Sequence, residues 1–135
     1  MPGEPSTAGA GIMLDAVNGR ATQTARTTYV ALLTAAPTDS TTLASMTEVT
    51  TAGYSRQSAT WAAPSGDPAS TSNSNVLTFG PFSADPPNIT HCALVSAASG
   101  TTGDFLYWWA LGTARDGISG DSASFAAGAL VMTQD

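Results

Sequence analysis

The sequence predicts a single all-β domain: a β-sandwich of immunoglobulin-like or jelly-roll-like type, with a short N-terminal helix and an extended N-terminal arm. Three observations predict it. Charged residues make up only 10% of the chain and lysine is absent, whereas surface helices ordinarily carry Glu, Lys and Arg on their wet side. Ser and Thr together supply about a quarter of the residues, which suits short strands and turns. Roughly seven short apolar segments are separated by turns rich in Gly and Pro, the spacing of a two-sheet sandwich. The length of 135 residues fits one hydrophobic core, and no internal repeat marks a second domain.

Residues 1–11 are rich in Pro, Gly and Ser and read as the arm; residues 12–135 read as the sandwich. Alone, such an arm would be disordered. It is held either by a partner subunit or by its own domain, and the sequence leaves both open. Residues 12–17 fit one or two helical turns, because Ile12 with Ala16 and Met13 with Val17 have the spacing that lines up one face. Asn18-Gly19 is the stop signal.

Residues 27–35 form the first clear strand, with Tyr29, Ala31 and Leu33 on one face and Val30 and Leu32 on the other. Residues 43–53 read as a loop with a helical turn, and residues 54–61 as a second strand. Residues 62–75 form a long polar loop, residues 75–79 a third strand, and residues 80–88 a Pro-rich turn. Residues 89–97 and 104–112 make a β-hairpin closed by residues 99–103. Its second strand places Phe105, Tyr107, Trp109 and Leu111 on one face and Leu106, Trp108 and Ala110 on the other. A strand wet on one side alternates apolar with polar. This one is apolar throughout, so both faces are expected to be covered, by the helix or by another subunit. A turn at residues 117–121 and strands at residues 122–125 and 129–133 complete the chain.

The net charge is −6 and the isoelectric point about 4.2. The four basic residues, Arg20, Arg26, Arg56 and Arg115, are dispersed, so neither nucleic acid nor an anionic membrane is an expected partner. No apolar run is long enough to span a bilayer, and residues 1–5 lack the basic and apolar regions of a signal peptide. The single cysteine, Cys92, excludes an internal disulfide and a multi-cysteine zinc site.

No catalytic constellation is visible, and no cofactor or metal is expected. His91 and Cys92 are neighbours on a strand and point to opposite faces, so they do not make a nucleophile pair. Asp39, Asp67, Asp85, Asp104, Asp116 and Asp121 are single carboxylates in turns, where Asp bonds nearby backbone N–H groups. Asn88-Ile89-Thr90 matches a glycosylation acceptor by chance in a Thr-rich chain. Trp61, Trp108 and Trp109 could stack on sugars as in a carbohydrate-binding module; the preferred reading of Trp108 and Trp109 is core or inter-subunit packing.

Several blocks resemble, in order, the small virion proteins of tailed bacteriophages of the tail-fibre-like, head-fibre or capsid decoration type. They are Tyr29-Val30-Ala31-Leu32-Leu33-Thr34-Ala35-Ala36-Pro37, Thr47-Glu48-Val49 and Gly53-Tyr54-Ser55-Arg56. They continue in Ile89-Thr90-His91 with Leu94, Gly103 with Leu106-Tyr107-Trp108, Gly120-Asp121, and Phe125-Ala126-Ala127-Gly128-Ala129-Leu130. Together they cover about residues 12–135. The resemblance implies a non-enzymatic β-sandwich of the virion, made in the host cytoplasm. The leading expectation is a capsid decoration protein that binds the phage major capsid protein and stiffens the head, as a homo-oligomer, trimer or larger. The alternatives are a tail or tail-fibre component, and a carbohydrate-binding module contacting the host surface. The expected assembly contacts are Pro2, Gly3, Glu4 and Pro5 in the arm, and Trp108.

Overall fold

The hairpin of apolar strands forms as expected and organises the rest. In the computed structural model, which describes residues 3–115 and 119–134, β6 (Ile89–Val95) and β7 (Phe105–Arg115) pair antiparallel. β2 (Thr28–Leu33) joins the free edge of β6 and β3 (Gln57–Ala59) follows it. On the other side β1 (Gly3–Pro5) pairs with β7, giving a five-stranded sheet of order β1-β7-β6-β2-β3. Two short ribbons complete the fold: β4 (Ala69–Ser72) with β9 (Val131–Gln134), and β5 (Leu77–Phe79) with β8 (Ala123–Phe125).

The protein is therefore mainly β, with one helix, α1 (Thr7–Asn18), near its N-terminus. One sheet face supplies Val30, Leu32, Cys92, Leu94, Tyr107 and Trp109 to the main core, which meets Leu77, Phe79 and Leu130 from the ribbon side. This is the two-layer burial of a sandwich. The buried Asn73 fastens the ribbon ends. Its Nδ2 donates to the carbonyls of Asn75 and Ala126, and its Oδ1 accepts from the Leu130 N–H at 2.9 Å.

The opposite sheet face is also apolar. Leu33, Ala93, Val95 and Phe105 lie under Leu43, with Met46 and Trp108 packed alongside. The expectation that both faces of the hairpin are covered is met by this loop, within one chain, so the second apolar face does not call for another subunit.

Four sequence expectations are corrected. First, the assignment of faces along β7 fails at its start. Val95 pairs with Phe105 but Leu94 pairs with Tyr107, so Leu106 is an extra residue in a β-bulge. The bulge puts Phe105 on the same side as Trp108, because an inserted residue flips the alternation. Second, residues 3–11 fold back on their own domain, one of the two readings the sequence leaves open, but not as an extended arm throughout: they form β1 and the beginning of α1, and the boundary expected after residue 11 falls inside the helix.

Third, the helix starts five residues earlier than the apolar spacing suggests, because Ser6 caps it: its hydroxyl accepts from the Gly9 N–H at 3.0 Å. Fourth, β4 lies within the stretch expected to be a polar loop, residues 62–75. The helix stop is where the sequence places it: Gly19 adopts φ 72° and donates to the Asp15 carbonyl.

Candidate assembly surface

The contact residues singled out in the sequence come together at one edge of the sheet. Gly3, Glu4 and Pro5 stand opposite Trp109, Trp108 and Tyr107 in the β1–β7 register. Glu4 and Trp108, chosen from opposite ends of the chain, are therefore direct cross-strand partners. Pro2 lies outside the described residues. Trp108 is half-buried rather than fully exposed. Its ring packs beside His91, with centroids 5.9 Å apart. Its indole N–H is buried and finds no acceptor among the described residues.

The bulge explains how this edge is held. An extra residue in a strand leaves backbone groups without ladder partners. Ser6 supplies them: its N–H donates to the Leu106 carbonyl at 3.0 Å, and its hydroxyl donates to the Phe105 carbonyl and sits 3.2 Å from that of Leu106. The side chain is buried, as such a hydroxyl must be to serve both strand and helix. Gly9 then rests directly on β7; a Cβ there would stand 1.9 Å from the Leu106 carbonyl oxygen. Tyr107 Oη donates to the Gly3 carbonyl at 2.9 Å.

Beyond Gly9 the helix is seated through Met13, which packs against the main core, while its outer side stays open. Leu14 is 66% and Val17 88% exposed. Spaced i, i+3, they share one face. Sequence reasoning missed this surface, because it lined up Met13 and Val17 on one face, whereas Met13 packs against the core and Val17 is open. The signal available was the near absence of charge: α1 carries only Asp15, which is engaged by Arg20 at 2.7 Å. Apolar pockets of about 160 and 170 Å³ lie on either side of Met13, lined in common by Tyr107 and Met132.

The ionisable side chains are largely spent on internal bonds. Arg56, its side chain 5% exposed, makes a two-pronged pair with Glu48, at 2.8 and 2.9 Å. It also donates to the carbonyls of Ala97 and Gly100 in the β6–β7 turn. Tyr54 Oη donates to the same carboxylate at 2.7 Å and accepts from the Leu32 N–H. Burial first, and then the Glu48 carboxylate, hold the Tyr54 phenol well above its ordinary range. The Glu48 hydrogen bond raises the Arg56 pKa further still.

His91 and Cys92 do point to opposite faces. His91 packs near Trp108, bonds Thr90 Oγ1 at 2.8 Å, and is lowered in pKa by burial. Cys92 is enclosed in the main core, where burial pushes its thiol up to about 12. No three His, Cys, Asp or Glu side chains gather as a metal site among the described residues. Trp61 is not a free platform: it stacks on Trp109 at 6.2 Å and 10°, with its indole N–H donating to Thr28 Oγ1. Asp85 accepts from the Ser119 N–H, a backbone group 34 residues away and not the nearby one expected of a turn Asp, and Asp104 lies 3.6 Å from Arg26; Asp116 falls outside the described residues.

A small sandwich whose ionisable groups serve its own turns, and whose open surface is an apolar helix face beside a sheet edge, has the build of a structural module. The kinship of this one is specific. The chain belongs to the family described as Podophage GP4 fiber I protein gp80, whose model matches residues 5–133. Among the curated proteins, no match is found. It is thus a bacteriophage structural protein, of fibre type and associated with the virion.

Proposed function

We propose that the chain is a non-enzymatic subunit of a virion fibre that works by packing against other virion proteins. The observation that carries this reading is the apolar α1 face, Leu14 and Val17, lying open beside the β1–β7 edge. A contact there gains roughly 25 cal/mol for each Å² of apolar surface removed from water, less the cost of ordering the partners. With few charges on the chain, such contacts are driven by burial and backbone pairing rather than by ion pairs.

Attachment to the head, as a capsid decoration protein bound to the major capsid protein, is the second reading. It is favoured by the absence of any sequence repeat from which a long shaft could be built, so the chain would serve as a knob or collar. Gold-labelled antibody against the chain, viewed on intact particles, separates the readings: label on tail fibres supports the first, label over the head supports decoration, and unlabelled particles overturn both. Leu14→Glu with Val17→Glu, at exposed positions, should leave the fold intact and lower particle occupancy at least about tenfold, since each buried charge is strongly unfavourable. Unchanged occupancy would remove the helix face from the mechanism.

A further inference from the structure

We infer that β1 and α1 form an exchangeable unit, which in the assembled fibre docks on β7 of a neighbouring copy of this chain. The inference deepens the fibre reading, on which the relevance of copy-to-copy contact rests.

The unit is joined to β2 by residues 19–27, every one of them exposed. Few contacts hold this linker: Arg20 and Ala21 bond back to Asp15, and Arg26 reaches Asp104 and Gln23 at 3.6 and 3.4 Å. A stretch of nine residues reaches about 30 Å when extended. The radius of gyration expected for a chain of this length is about 14 Å, so the linker can carry the unit to an adjoining body.

The receiving surface is complementary to the unit. It offers the edge of β7 in a fixed register, the two bulge carbonyls that Ser6 satisfies, and the surface of Leu106 against which only a residue lacking a Cβ fits. These contacts lie within residues 3–9, and the Thr7 N–H on the Asp39 carbonyl and Met13 against the main core add to them, all apart from the linker. They are the same whether the unit comes from the same chain or from another, which is the condition for exchange between identical protomers. Exchange also accounts for what the closed chain leaves undone. The outer face of α1, with Leu14 and Val17, would then lie in the crossing zone between two bodies, where a neighbour covers it.

The test uses the purified full-length chain with Glu4→Cys and Trp108→Cys. These positions face each other across β1 and β7, at the separation of antiparallel partners that a disulfide can bridge. Oxidised at high protein concentration, the variant should give disulfide-linked dimers and larger species on a non-reducing gel. A disulfide formed solely within single chains would overturn the exchange.

If that variant does not fold, deletion of residues 21–24 serves instead. The shortened chain should be oligomeric by light scattering with β1 amides protected from hydrogen exchange, and adding Gly9→Leu should return it to monomer. A shortened chain that stays monomeric, or an oligomer indifferent to Gly9→Leu, refutes the inference. Neither assay involves the particle, so a failure here is distinct from unlabelled virions.

Discussion

Trp108 and Trp109 are consecutive residues of one type with different fates. Trp109 is fully buried and its indole N–H donates to the Val131 carbonyl at 2.8 Å. Trp108 encloses its N–H without an acceptor among the described residues, and a buried donor left unpaired costs stability. Replacing each by Phe removes the same atoms, so the difference between the two variants combines the hydrogen bond with the fuller burial of Trp109. Trp108→Phe is expected to stay within about 1 kcal/mol of the parent, and Trp109→Phe to lose about 2–4 kcal/mol; urea titrations followed by circular dichroism measure both. The sequence separates these residues onto opposite faces by strand alternation alone. It cannot say which indole meets an acceptor, because that acceptor lies 22 residues away on β9. The same limit hid the meeting of Glu4 with Trp108, which follows from sheet order and not from any local pattern.

Elements are fastened to one another by a few polar clasps. The Glu48–Arg56–Tyr54 cluster ties the loop before β3 to the β6–β7 turn and to the Leu32 backbone. Arg56→Lys keeps the charge and loses the planar fork, leaving the turn carbonyls of Ala97 and Gly100 without their donors. A loss of about 2–4 kcal/mol is expected by urea denaturation, with faster hydrogen exchange in residues 97–103. Glu48, Tyr54 and Arg56 were all visible in two of the blocks that resemble phage virion proteins. Their pairing was not, since carboxylate and guanidinium are separated by a turn whose path the sequence leaves open. β1 and β4 escaped notice for a related reason: Gly, Pro and Ser carry little intrinsic strand preference, and these strands exist because a neighbour offers a free edge. By contrast β2, β6 and β7 were legible, since their apolar runs leave no other burial. The bulge at Leu106 was invisible, as one inserted residue changes no composition.

At the scale of the whole molecule, the fold draws its stability from packing and from neutral hydroxyl and amide bonds more than from charge, and this fixes its response to pH. Cys92 has an ordinary pKa of 9.0 and is raised to about 12 by burial. Tyr54, ordinarily at 10.0, is raised further, by burial and then by Glu48. Above these ordinary values the unfolded chain loses protons that the folded chain keeps, so stability is fully present below pH 9.0 and falls as pH rises toward 12. Thermal melts from pH 8 to 12 should show a falling midpoint, and Cys92→Ala with Tyr54→Phe should flatten the decline; an undiminished slope in that double variant would show that these groups are not its source. The all-β class and the single N-terminal helix were legible from composition and spacing, whereas the division of the second layer into two ribbons was not, because their short strands are set by contacts distant in sequence. The burial of Cys92 also has a practical side. A thiol sealed in the core and held protonated is a poor nucleophile toward maleimides and iodoacetamides, so a cysteine introduced on the surface would accept a dye or spin label selectively, with the native residue left in place.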